Sequence, residues 1–117
     1  MLSLSSKCRY YLYKGSTDMR KGFDGLGGLV KSHIESDLQS GDVFIFINKR
    51  RDRVKMLSWE VTGFAIYYKR LERGSFELPS DIGEKSSIEL SWSTLVMLLE
   101  GIELKGIKKR KRFQMSA

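Results

Sequence analysis

"DVFIFINKRRDRVKMLSWEVTGFAIYYKR", Asp42 to Arg70, is three apolar runs broken by two short polar gaps. The first run, Asp42 to Asn48, is apolar on both faces, as a central strand must be. The second, Arg53 to Trp59, alternates: Val54 and Met56 on one face, Lys55, Leu57 and Trp59 on the other. The third, Gly63 to Arg70, sets Phe64, Ile66 and Tyr68 against Ala65, Tyr67 and Lys69. Connections this short join antiparallel neighbours, so the stretch predicts a β-meander.

The flanks add elements to that meander. "RYYLYK", Arg9 to Lys14, reads as an aromatic-rich strand that Gly15 ends. Ser16, Thr17 and Asp18 then offer a helix N-cap. Phe23, Leu26, Val30 and Ile34, joined by Leu29, follow at spacings of three and four, which predicts one apolar helix face. Gly22, Gly25, Gly27 and Gly28 fall in or beside that helix, where an interior Gly costs about 1 kcal/mol relative to Ala. Close approach of the helix to a sheet is the expected reason, and a glycine-lined phosphate contact the alternative. A turn is expected at Ser40–Gly41. "SIEL" reads as a short strand, and Ser91 or Ser93 caps a last helix carrying Leu95, Leu98, Leu99 and Ile102, with Gly101 at its end. The expected fold is α+β: an antiparallel meander with additional short strands, covered by two helices on one face or at one end. One compact domain is expected over residues 1–104, and a basic, disordered tail over 105–117.

Composition narrows the class. A hydrophobic fraction of 41% in 117 residues supplies a core. No apolar run approaches the roughly 18 residues that span a bilayer, and the start "MLSLSSKCRYYLYKG" has no signal-peptide pattern. A single cysteine, Cys8, excludes an internal disulfide and fits a cytoplasmic protein. His33, the one histidine, reads as a surface side chain and Cys8 as inert. Asp18, Asp24, Asp42, Asp52, Glu60 and Asp81 read mainly as caps, turns and exposed positions. Asp42, opening a strand, is the one that can face a cleft. No enzymatic constellation, metal site or cofactor is expected.

Charge is where the sequence departs from an ordinary small domain. The net charge is +7. Lys105, Lys108, Lys109, Arg110, Lys111 and Arg112 supply six of these charges, and Lys49, Arg50, Arg51, Arg53 and Lys55, opposed by Asp52, supply a net four. With both segments set aside the remainder of the chain is −3. Positive charge in two places on an acidic background is the pattern of a polyanion binder. Hairpin turns call for Asn, Gly or Asp, not for cations, so Lys49, Arg50, Arg51, Arg53 and Lys55 are candidate nucleic-acid ligands. Tyr67, Tyr68, Lys69 and Arg70 extend that surface, Tyr68 being equally suited to the core, and Lys108, Lys109, Arg110, Lys111 and Arg112 add sequence-independent affinity.

Three segments are also specific: "RYYLYKGSTDMRKGFDGLGGLV", "SGDVFIFINKRRDRVKMLSWE" and "GFAIYYKRLERGSFELP", with "LLEGI" beyond them. Together they resemble the accessory proteins (TnpB) of insertion-sequence sixty-six family bacterial transposable elements, encoded by the second reading frame. These are distinct from the RNA-guided nucleases that share the name. The resemblance implies a non-catalytic role in DNA transposition beside a separate transposase, with transposon-end DNA and that transposase as partners and no membrane. It departs from the family's usual pattern at Ser16, Asp52 and Val61. Asp18, Arg20 and Lys21, inside the string "TDMRKGFDGL", form a secondary candidate surface. The alternative function is a protein-interaction module that assembles the transposase complex, with Tyr11, Tyr13 or Trp59 as anchors.

Overall fold

The computed structural model describes residues 8–34, 36–79 and 85–100. Strand β1 (Tyr10–Ser16) leads to helix α1 (Phe23–Leu29), which continues as a π-helical segment, Val30–Ile34. Strands β2 (Val43–Ile47), β3 (Arg53–Glu60) and β4 (Gly63–Arg70) follow, then β5 (Ser87–Leu90) and helix α2 (Trp92–Glu100). The sheet order is β4-β3-β2-β1-β5. The meander is as expected: Ile45 faces Met56, and Leu57 faces Ile66.

The sheet as a whole is mixed, not antiparallel. Strand β1 lies parallel to β2, with Tyr10 beside Val43 and Leu12 beside Ile45, while β5 runs antiparallel along its other side. A strand, a crossover of helical residues and a second strand give parallel neighbours, because the chain must travel back along the sheet before pairing. The two helices also take opposite faces. Val43, Ile45, Ile47, Val54 and Met56 pack with Leu95 and Leu98 of α2, together with Tyr10, Leu12 and Phe76. Phe44, Phe46 and Leu57 pack with Leu26 and Val30 on the α1 side. Strand β2 is buried at all five positions because it has a helix above and a helix below.

Local details revise the expected helix ends. Ser16, Thr17 and Asp18 do not cap α1: β1 runs through Gly15 to Ser16, and the helix begins at Phe23 with Gly22 before it and no side-chain cap. Phe23 is 52% exposed and leaves the apolar face to Leu26, Leu29 and Val30. The glycines do not mark contact with the sheet. A Cβ at Gly22 or Gly28 would meet nothing within 4 Å, and one at the buried Gly27 would touch Leu38 at 3.4 Å. Helix α2 is capped as expected: Thr94 N–H donates to Ser91 Oγ at 3.1 Å, a bond that contributes about 1 kcal/mol in such positions. Ser40–Gly41 turns the chain into β2, Gly41 having φ +90°. The expected tail 105–117, the end of the last helix at Gly101 and Ile102, and Asp81 lie outside the described residues.

Candidate nucleic-acid interface

The β2–β3 turn is built around Asn48. Its side-chain oxygen accepts from the backbone N–H groups of Asp52 (3.1 Å) and Arg53 (3.0 Å), and its amide donates to the Asp52 carboxylate at 2.7 Å. The Asn48 carbonyl takes the Arg51 N–H at 3.0 Å, and Asn48 N–H donates to Arg53 O at 3.2 Å. The carbonyls of the tip are held as well: Asp52 O accepts from Leu71 N–H (2.7 Å) and Arg51 O from Phe76 N–H (2.6 Å). Asp52 is therefore a turn-forming residue more than a diluent of the positive charge. The tip is a braced platform, so the backbone that carries its cations is held in place.

Arg51 sits at φ +60°, the left-handed region where glycine or asparagine is favoured. Its carbonyl and N–H hold it there. We expect Arg51→Gly to raise the unfolding free energy by about 0.5–1 kcal/mol, the left-handed penalty less glycine's extra unfolded-state entropy. Chemical denaturation reads this as a higher midpoint with an unchanged slope; an unchanged or lower midpoint would show that the Arg51 side chain stabilises the turn.

The "TDMRK" string, distant in sequence, is delivered to the side of this tip. Thr17 N–H donates to Ile47 O at 2.9 Å, and Lys21 N–H closes a turn on Asp18 O at 3.1 Å. Lys55 secures the loop: its ammonium donates to Met19 O (2.8 Å) and Lys21 O (2.9 Å) and lies 4.8 Å from the centroid of the Tyr68 ring. Thr17, Asp18, Met19 and Arg20 thus line one concavity of about 420 Å³ with Asn48, Lys49, Arg50, Arg53 and Tyr68. Arg53, Tyr68, Arg70 and Glu72 line a second, of about 340 Å³, which shares Arg53 and Tyr68 with the first.

The expected ligand residues accordingly separate. Lys49, Arg50, Arg53 and Arg20 share the larger groove. Arg70 borders the smaller one, its Nε 2.9 Å from Glu72. Arg51 lies with Lys49 in a different hollow, beside Tyr13, Lys14 and Leu78. Lys55 is engaged with two carbonyls. Lys69 pairs with Val54 on the α2 face and donates to Leu99 O at 3.0 Å, supporting the end of the helix. Lys108, Lys109, Arg110, Lys111 and Arg112 lie outside the described residues. Tyr68, read from the sequence as equally suited to the core, is 49% exposed and stands between the two grooves.

Asp18 and Arg20 meet through several hydrogen bonds, the shortest from Arg20 Nη2 to Asp18 Oδ2 at 2.7 Å, and Arg20 N–H adds another at 2.9 Å. The Arg20 side chain remains 92% exposed. These bonds stabilise the carboxylate and hold Asp18 down to about 2, from an ordinary 3.8. A depressed carboxyl contributes its stabilisation above the ordinary value and loses it as pH falls through about 2; in so exposed a pair that contribution is small. An NMR titration of Asp18 should therefore show a midpoint near 2. In Arg20→Ala the midpoint should rise part of the way back, since the backbone N–H remains. An ordinary midpoint in the unmodified chain would mean that Arg20 is not held by Asp18 in solution.

Other candidates have ordinary partners. Asp42 is buried and bonded to Arg9 Nε at 3.1 Å, across the start of the β1–β2 pair. That contact raises the Arg9 guanidinium pKa. His33 is exposed, with its ring 5.4 Å from that of Tyr13. Among the described residues no group of three His, Cys, Asp or Glu is placed to hold a metal ion, and no helix is long and apolar enough to cross a membrane. Tyr11 and Tyr13 are partly buried against the α1 cluster, so they are not open anchors. The exposed apolar surface at the other end of the β3–β4 hairpin is Val61 and Phe64, next to Trp59.

The same residues that build this groove lie within the match to a family model described as IS66 Orf2 like protein, which covers residues 8–109. The chain belongs to the IS66 Orf2-like family. That makes it an accessory protein of insertion-sequence transposition. Two proteins of Sinorhizobium fredii are similar to it. The uncharacterized protein y4jC is 29% identical over 94% of this chain and 92% of its own length. The uncharacterized protein y4hO is 32% identical over 88% of each chain. No solved structure matches. For an IS66 Orf2-like protein, "TDMRK" and the basic hairpin are thus two walls of one groove. They read as separate surfaces in the sequence, and it is the parallel β1–β2 pairing that brings Thr17 beside Ile47 and joins them.

Proposed function

We propose that this protein contacts DNA during transposition through the groove formed by Arg20, Lys49, Arg50 and Arg53. The observation that carries the reading is the convergence of four cations from two distant segments on one braced surface of a chain that is net acidic outside Lys49–Lys55 and Lys105–Arg112. Arginine forks suit phosphate oxygens and can also bond guanine edges. The Asp18–Arg20 bonds hold one fork in place before contact. Lys108 to Arg112 add sequence-independent attraction in this reading. The transposon ends are the DNA it serves, and the element's transposase is the protein it works beside in the cytoplasm.

A second reading, a module that docks on the transposase with little DNA affinity, draws on the exposed Val61 and Phe64. Fluorescence anisotropy with element-end and random duplexes, titrated with salt, separates the two. DNA contact predicts binding at about 50 mM salt that weakens steeply as salt rises. Absence of binding there, together with transposase capture that survives loss of the groove arginines, would select the docking reading.

A further inference from the structure

Phosphate contact alone gives no use to an aromatic ring among arginines, yet Tyr68 stands there, half exposed, on the edge strand β4. The ring is fixed on two sides. Its hydroxyl lies 3.4 Å from Arg53 Nη1, and the Lys55 ammonium sits 4.8 Å from its centroid. Lys55 is itself tied to the carbonyls of Met19 and Lys21, so the ring is mounted on the sheet and not on a mobile loop. Tyr68 lines two hollows: Arg53 and Arg70, the latter paired with Glu72, border one, and Arg20, paired with Asp18, borders the other with Arg50 and Arg53. A held aromatic face with cations to either side is the arrangement that binds a nucleotide out of a duplex: the base stacks on the ring and the flanking phosphates go to the basic groups. Bases inside a duplex are already stacked and cannot use it.

We infer that Tyr68 is a stacking platform for an unpaired nucleotide of DNA, with Arg53 and Arg70 taking the phosphate on one side of that nucleotide and Arg20 and Arg50 the phosphate on the other. This inference rests on the DNA-contact reading and narrows it to DNA carrying an unpaired base, such as an end with a short single-stranded extension. The adjoining hollows, about 340 and 420 Å³, provide room beside the ring.

The test uses the full chain and two DNAs of the same sequence, one a blunt duplex and one bearing a three-nucleotide single-stranded extension, compared by anisotropy at one salt concentration. Stacking of one base predicts on the order of 10-fold tighter binding to the extended DNA. Tyr68→Phe retains the preference, since the ring remains. Tyr68→Leu brings the ratio of the two affinities to about one. Phe23→Leu, which removes an exposed ring outside the groove, retains the preference. Equal binding of both DNAs by the unmodified chain overturns the stacking inference and leaves DNA contact standing. Failure to bind either DNA overturns the DNA-contact reading beneath it. A preference that survives Tyr68→Leu overturns the assignment to Tyr68.

Discussion

Replacing Arg20, Arg50 and Arg53 together by alanine lowers affinity for a short DNA duplex on the order of 10²-fold at about 100 mM salt, with little change in thermal stability. Each lost phosphate contact removes about 0.9 from the slope of log affinity against log salt. Three contacts remove about 2.7, so between 50 and 200 mM salt the unmodified chain should weaken roughly 40-fold more than the triple variant. The slope is the sharper measurement, because it counts phosphate contacts and does not depend on how the remaining cations redistribute. Stability is spared because the three side chains form the wall of an open concavity, and the Asp18–Arg20 pair is well solvated. Lys31→Ala removes the same charge from an exposed position on the π-helical segment and should leave the slope almost unchanged. If Lys31→Ala shifts the slope as much as each groove arginine does, the interaction follows total charge and the groove has no special part in it.

Asn48→Ala should do the opposite kind of damage. It removes no charge, yet it deletes three side-chain hydrogen bonds and leaves the N–H groups of Asp52 and Arg53 without their acceptor. At about 1 kcal/mol per bond the expected loss is about 2–3 kcal/mol, which in a domain of this size lowers Tm on the order of 10 °C. Affinity for DNA falls with it, because Lys49, Arg50 and Arg53 are no longer held against the 17–20 loop. Asp52→Ala is the informative partner variant. It deletes only the bond from the Asn48 amide and removes the tip's one acid. Stability should fall by about 1 kcal/mol, while DNA binding strengthens severalfold. Melting curves and anisotropy on the two variants thus separate bracing from charge. Equal loss of binding in both would mean that the Asp52 carboxylate itself takes part in the contact.

These effects mark the limit of sequence reading in this chain. The meander was legible because alternation in Arg53–Glu60 and Gly63–Arg70, with gaps of a few residues, admits only antiparallel neighbours. The parallel placement of β1 was not drawn out, although a strand, a helical stretch and an all-apolar strand carry that signal. Ser16, Thr17 and Asp18 misled because residues that suit an N-cap suit loops equally; the Asp18 carboxylate is spent on Arg20. Counting charge treats every cation of the tip alike. Lys55 and Lys69 are counted like any other lysine, while their ammonium groups are bonded to backbone carbonyls. Tyr68 fits surface and core equally in the sequence because alternation tells which face a strand residue takes and not whether a helix reaches far enough to cover it.

The parallel β1–β2 pair has a bearing on the order of assembly. The 43–70 meander needs only near-neighbour pairings, which form early at little loop-closure cost. The pairing of β1 with β2 closes over about thirty residues, from Tyr10 to Val43, and arrives later in such a scheme. The basic tip belongs to the early part; Arg20 and its loop belong to the late one. A growing chain therefore carries an exposed cationic turn before it has a groove, and acquires the full set of arginines only when β1 finds its place beside β2, the first strand of the meander. If DNA contact runs through this groove as proposed, it is then a property of the finished protein, and folding itself is the step that switches it on.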